Sequence, residues 1–338
     1  MTTPSSNENT VLDLHDIALL LNYERASTEP RFRYTKLREV AQPGQDFRTI
    51  LTPASEWHEA SVPRTGFVFE KSTPKTSKER DEPDLPTNML APSPSPAELA
   101  LTSTQLETYY WQARNHDGCF AAVALFQNFM DLFPASARIR VRTLESPGKT
   151  IREYTSSLQD RCILEFNLIN PRSMNMSVVL HNSKSYLTGC TPSSIHAVIG
   201  FAEPGSGVDV ILDLASLQFG DVGRGFRGKG LFVLEPVDQY ENRLDKFAEQ
   251  NTFQDLKMST RINTNTTPNN DWLKEVTKRA KRRWDNRHNA HWCGHCGAPP
   301  RDHDLKRCGR CRKAWYCNAE HQGAAWPFHK HFCADGGK

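Results

Sequence analysis

The centre of this 338-residue chain is predicted to be an α+β domain, and three observations carry the prediction. A long apolar helix over residues 119–133 (CFAAVALFQNFMDLF) precedes a series of strand-like runs instead of alternating with them. The hydrophobic fraction of 38% and the mean hydropathy of −0.61 are too low for every segment to join a core. Eight of the cysteines and histidines at the C-terminal end fall into closely spaced pairs, as in small modules folded around metal. The expected organisation is an N-terminal tail and linker over 1–100, mostly disordered, then an α+β globular domain over 101–250. A linker and basic helix follow over 251–290, and a metal module over 291–335.

In the first hundred residues, one short helix is expected around 11–23. Leu12, Leu14, Ile17, Ala18, Leu20 and Leu21 cluster there at helical spacing, with Thr10 as a cap. Residues 31–69 carry Phe32, Leu37, Ile50, Leu51 and Phe67 without a sustained period and should drape over the next domain. Residues 71–96 are rich in Pro, Ser, Thr, Lys and Glu, end in APSPSP, and read as disordered. In 119–133, Phe120, Val123, Phe126, Phe129, Met130 and Phe133 form a broad stripe that Pro134 ends. Strands are predicted over 138–144, 161–169, 176–180, 195–201, 208–214 and 231–234. Residues 239–252 read as a solvated helix, 263–270 (NTNTTPNN) as a polar joint, and 271–289 as a basic helix capped by Asp271.

Composition excludes several classes. No run approaches the roughly 18 apolar residues that cross a membrane, so no membrane role is expected. MTTPSSNENT lacks the basic-then-apolar pattern of a secretory signal, which points to the reducing nucleus or cytoplasm. Six of the nine cysteines sit in the metal module and the other three are scattered, which argues against a disulfide framework. Six ligand thiolates and two dications would lower the formal charge of +3 to about +1. Overall charge is therefore no argument for nucleic acid.

Cys293, Cys296, Cys308, Cys311, Cys317, His321, His329 and Cys333 form four pairs, two C-x2-C followed by C-x3-H and H-x3-C. Zinc takes four nitrogen or sulfur ligands tetrahedrally, and a short spacing lets one turn supply two, so four pairs make two zinc sites. The C-x2-C pairs are knuckles, with glycines that permit tight turns, and the later pairs place both ligands on one helical face. Order does not fix which pairs combine. Joining first with third and second with fourth gives each site three thiolates and one imidazole. His329 is preferred over His331, which lies only two residues from Cys333, and His295 and His303 are expected to face solvent.

The run CGRCRKAWYCNAEHQGAAWPFHKHFC resembles the MYND-type zinc finger in its Tyr-Cys, its Gln after the sixth ligand, and its Trp-Pro-x-His-Lys before the last Cys. The resemblance covers residues 293–333 and implies a small cross-braced module with interleaved pairs. One zinc would take Cys293, Cys296, Cys317 and His321, the other Cys308, Cys311, His329 and Cys333. His321 is a departure, since the family usually has Cys there. Histidine in each set favours zinc over iron–sulfur, and four protein ligands per ion make the sites structural rather than catalytic. The resemblance implies an adaptor or regulator that binds protein partners. Trp315, Tyr316, Trp326, Phe328 and Phe332 would fill the small core, or in part line a groove for proline-rich peptides.

The stretch 274–287 carries Lys274, Lys278, Arg279, Lys281, Arg282, Arg283 and Arg287 against Glu275 and Asp285. It reads as a solvated connecting helix or, through KRAKRR, as a nuclear localisation element or phosphate-contacting patch. With no aromatic platform in register, nucleic acid is the weakest partner reading.

Cys119, His196 and Asp213 are the one candidate catalytic set. Cys119 opens the strongest helix, where a thiol can be activated, and His196 and Asp213 lie on successive strands. HAVIGF and VILDLASLQFG, with Gln218 nearby, are weakly similar to the His and Asp strands of papain-like and transglutaminase-like folds. That similarity implies a thiol-dependent acyl hydrolase or transferase, targeted by the finger, as the alternative function. Greater weight falls on the reading without catalysis, because a cysteine in an apolar helix is usually a core residue. Residues 223–228 match G-x-G-x-x-G, but a strand rather than a helix follows, so no dinucleotide site is expected.

Overall fold

A computed structural model describes residues 10–51, 54–90, 101–145, 150–180, 184–252, 257–301 and 304–334. The first part of the chain contributes β1 (Val11–Asp13), α1 (Leu14–Ala26), β2 (Thr35–Ala41), α2 (Ser55–Glu59), β3 (Arg64–Lys71) and α3 (Ser77–Asp81). The middle follows with α4 (Ser103–Arg114), α5 (Cys119–Met130), β4 (Arg138–Leu144), β5 (Ile151–Ser157), β6 (Arg161–Pro171), β7 (Met174–Val179), β8 (Lys184–Thr188), β9 (Ser193–Ala202) and β10 (Val208–Asp213). Next come α6 (Phe226–Lys229), β11 (Val233–Pro236), α7 (Val237–Phe247), β12 (Ala248–Asn251), β13 (Lys257–Ser259) and α8 (Asn270–Asp285). The finger holds β14 (Lys306–Arg307), β15 (Trp315–Tyr316) and α9 (Ala319–Phe332).

The mixed α+β class holds. The largest sheet runs β11-β10-β9-β6-β12 with β13 also on β6, and all its pairs are antiparallel. A second sheet runs β2-β3-β7-β8 and a third β1-β4-β5. The main core forms where α1, α5 and α8 meet the inner faces of β4, β9 and β10, through Leu20, Phe126, Phe129, Ile139, Ile199, Leu212, Val276 and Trp284. α5 spans the predicted helix up to Met130, and the chain turns before Pro134. α8 earns its helix by spacing: Leu273, Val276, Ala280 and Trp284 recur on one face and are buried.

The N-terminal region carries more structure than the sequence reading gives it. α1 is buried nearly all round, Asn22, Glu24 and Arg25 included, so it is stable only when covered on several sides. Its start is fixed by Asp13, not Thr10: Asp13 Oδ1 accepts from Asp16 N at 3.1 Å. β3 escaped detection because both its faces are covered, Phe67 and Phe69 in one cluster and Val68 in another with Trp57. Such a strand shows no alternation to read. Residues 1–9 and the APSPSP segment lie outside the described residues. The expected linker over 251–290 is likewise part of the body, since β13 joins β6 and α8 packs on α1 and α5.

Candidate metal centre and a buried Cys-His-Asp cluster

The finger brings the eight ligands into two sets, Cys293/Cys296/Cys317/His321 and Cys308/Cys311/His329/Cys333. The ligand atoms of each set lie within 4.8 Å of one another. In the first, Cys296 Sγ is 3.7 Å from Cys317 Sγ and Cys293 Sγ is 3.3 Å from His321 Nδ1. In the second, Cys308 Sγ is 3.9 Å from Cys333 Sγ and Cys311 Sγ is 3.5 Å from His329 Nε2. A tetrahedron with Zn–S arms of 2.3 Å has sulfur edges of about 3.8 Å. The donors therefore fit two zinc ions in size as well as chemistry.

Local structure explains the fit. Backbone N–H groups of Cys311 and Arg310 face the Cys308 sulfur, as in a tight knuckle. Cys317 precedes α9 rather than sharing its face. Asn318 caps that helix, its Oδ1 accepting from His321 N at 2.8 Å, and so swings His321 back toward Cys317. At Gly297, φ is +76° and a side chain would begin 2.3 Å from Leu19 O. Only glycine lets the first knuckle seat on α1.

The finger is docked on the body. Phe328 stacks on His15 at 4.4 Å and Arg142 lies over Phe332 at 4.9 Å, while Trp315 stacks on His291 at the start of the module. Tyr316 is buried in the finger's small core, and Trp326 is exposed. His295, expected to face solvent, is instead 5% exposed. Its Nε2 meets Glu107 Oε1 at 2.9 Å. Burial works against the Glu107 charge, but His295, then Arg224, outweigh it and hold the carboxyl down to about 2. His303 lies outside the described residues.

The structure also assembles Cys119, His196 and Asp213. Asp213 Oδ2 lies 2.8 Å from His196 Nε2, and the Gln218 amide 3.1 Å from Nδ1. Ala215 N and Tyr240 Oη donate to Asp213 at 2.8 and 2.9 Å. Burial alone would lower the His196 pKa. The charge and hydrogen bond of Asp213 reverse this, with support from the neighbouring Cys119 thiol, and hold it up to about 10. Cys119 Sγ lies 3.7 Å from Ile195 O. The cluster is closed: Cys119, His196 and Asp213 are 3%, 2% and 1% exposed, and Phe219 packs edge-on against His196.

Arg25 was not singled out from the sequence. It is 1% exposed, bonded to Asn115 Oδ1 and Leu214 O, with Nε and Nη1 unpartnered among the described residues. Burial lowers its pKa to about 10, opposed by Glu29, Asp213 and Cys119. A lone arginine gives no periodic signal. Glu107 had one: Thr102 and Gln105 form a reciprocal capping box that marks the start of α4.

The C-terminal module, a two-zinc finger with interleaved ligand pairs, is a MYND finger, and residues 293–333 match that family. Over 41 residues, 12% of this chain, it is 51% identical to the N-lysine methyltransferase SMYD2 of Gallus gallus. Over 42 residues it is 48% identical to proteins of the same name from Sus scrofa and Bos taurus. The match spans 9% of the length of each relative, so the similarity is one of fingers. No solved structure matches the chain. The resemblance of the middle domain to papain-like and transglutaminase-like folds is not confirmed by these comparisons.

Proposed function

We propose that this chain is a nuclear or cytoplasmic adaptor or regulator that recruits a protein partner through its finger. The observation that carries this reading is the closure of both Cys3His sets. With four protein ligands per ion, zinc is left no position for substrate, and its role is to hold a recognition surface together. A cavity of ≈ 790 Å³ between finger and body offers such a surface, lined by Trp315, Phe328 and Phe332 with Phe226, Phe232 and Arg142. Aromatic walls of this kind accept extended proline-rich peptides. Titration with a proline-rich peptide should show binding to the wild type and none to Cys308→Ser. Equal binding by both proteins would sink the proposal.

A second reading is favoured by the Cys119–His196–Asp213 cluster: a thiol-dependent acyl hydrolase or transferase delivered by the finger. The Cys119 sulfur, its proton taken by His196, would attack an acyl carbonyl, and His196 would give that proton to the departing amine or alcohol as its bond to the carbonyl breaks. Water or a second nucleophile would then release the thioester, with Asp213 orienting the ring throughout. Because the cluster is closed, substrate needs its cover, Phe219 included, to open. Labelling with iodoacetamide, mapped by peptide mass spectrometry, tests this. Modification of Cys119 in the native chain supports it; labelling of exposed Cys190 with Cys119 untouched removes it. Nucleic-acid binding gains no support, because Arg279 and Arg283 pair with Glu24, Lys278 with Glu275 and Lys281 with Asp285.

A further inference from the structure

The finger's first zinc site does not end at its four ligands. His321 turns Nδ1 toward the Cys293 sulfur, and its other nitrogen, Nε2, lies 4.0 Å from Glu107 Oε1. That same oxygen takes the 2.9 Å bond from His295, which stands between Cys293 and Cys296. The two imidazoles meet edge to face with ring centres 4.8 Å apart. One carboxylate, carried on α4 of the body, thus faces both halves of the site: it is bonded to the knuckle through His295 and stands at ion-pair distance from His321 of the helical pair.

We infer that Glu107 is the outer-sphere carboxylate of the first zinc site, a positioning residue through which the body completes the finger. Metal-bound imidazoles characteristically direct their second N–H at a carboxylate or carbonyl, which fixes the tautomer and makes the coordinating nitrogen a better donor. His321 brings no negative charge to the metal, whereas each of the three cysteines of its set does. A carboxylate behind the ring returns it.

Glu107 is itself held in place. Arg224 Nη1 and Nη2 both reach Oε2 at 3.1 Å, and Nη2 also donates to Thr108 Oγ1 at 2.8 Å and Thr104 O at 3.2 Å. This gives the glycine-rich stretch 223–228 a structural purpose in place of a nucleotide. A side chain on Gly225 would begin 1.9 Å from Phe232 O, so the loop closes tightly only with glycine there and thereby aims Arg224 at α4. The second zinc set has no counterpart among the described residues in the clusters of metal-ligating groups.

The test uses the full chain loaded with zinc and challenged with a chromogenic zinc chelator. Cysteine alkylation mapped by mass spectrometry identifies which site opens first. Glu107→Gln keeps the size and a hydrogen-bond acceptor but removes the charge. It should weaken one site by about 10- to 100-fold and expose Cys293, Cys296 and Cys317 first. Cys308, Cys311 and Cys333 should stay protected as in the wild type. Ser103→Ala, which removes another polar contact of α4 with α9, the bond from Ser103 Oγ to Glu320, should leave zinc retention unchanged. If Glu107→Gln does not fold, Glu107→Asp, whose carboxylate is set back by one methylene, should show the same order of opening. Unchanged release, or loss of all six cysteines together, overturns the inference. So does a third zinc equivalent in the wild type that Glu107→Gln loses, which would make Glu107 a ligand.

Discussion

His196 and Asp213 form a buried ion pair whose charges depend on each other. The folded His196 titrates at about 10, against roughly 6.5 for a free imidazole. Its contribution to stability is therefore complete below roughly 6.5 and fades as pH rises toward its folded value. Asp213 is held below its ordinary value: burial would raise it, but His196, Ala215 N–H and Tyr240 outweigh this. Its contribution is present above roughly 3.9 and lost as acid protonates the pair. The gap in thermal midpoint between wild type and His196→Gln should shrink as pH climbs from about 6.5 toward 10. A gap that stays constant over that range would rule the ion pair out. Asp213→Asn strands the imidazole without its counter-charge and should cost roughly 3–5 kcal/mol in urea unfolding.

At the scale of elements, α1 and α8 are the joints of the molecule. Glu24 on α1 receives Arg279 Nε and Arg283 Nη1 from α8 at 3.0 and 2.9 Å. Arg283 also reaches Gly297 O in the first zinc knuckle. The basic run is thus two faces with different jobs. Arg279 and Arg283 bind α1 and the finger, while Lys274 and Lys278 lie in solvent beside acidic neighbours. Trp284, 3% exposed in the main core, should cost roughly 3–5 kcal/mol when changed to alanine. Lys278→Ala should stay within about 0.5 kcal/mol. Equal losses for the two variants in chemical denaturation would mean that the helix is not seated by its apolar face.

For the whole molecule, the consequence is that finger and body share structure. Zinc supplies folding free energy on the order of 10 kcal/mol to a module too short to fold on apolar burial alone. Its loss should reach past the finger, because Leu19, Tyr23, Glu107 and Arg142 rest against it. Chelation followed by hydrogen exchange should deprotect α9, then α4 and the finger-facing side of α1, while β6 and β9 keep their protection. Loss confined to residues 291–334 would show the finger to be an independent domain.

How much of this was legible in the chain follows from the range of the forces involved. Metal ligands must sit close together in sequence to share a turn, so Cys293, Cys296, Cys308 and Cys311 could be read from spacing, as could α5 and α8 from their apolar period. β3 could not, because it is covered on both faces and carries no alternation. Cys119, His196 and Asp213 were visible as residue types, but a 2.8 Å contact between neighbouring strands depends on register, which the sequence does not spell out. Arg25 left no signal, and for Glu107 the capping box of Thr102 and Gln105 marks only where its helix starts, not what it meets. By itself the sequence determined what this chain coordinates, since zinc chemistry is local. Only the tertiary structure decided what surrounds the metal and that the catalytic candidates meet, since burial and counter-charge are supplied by residues far away along the chain.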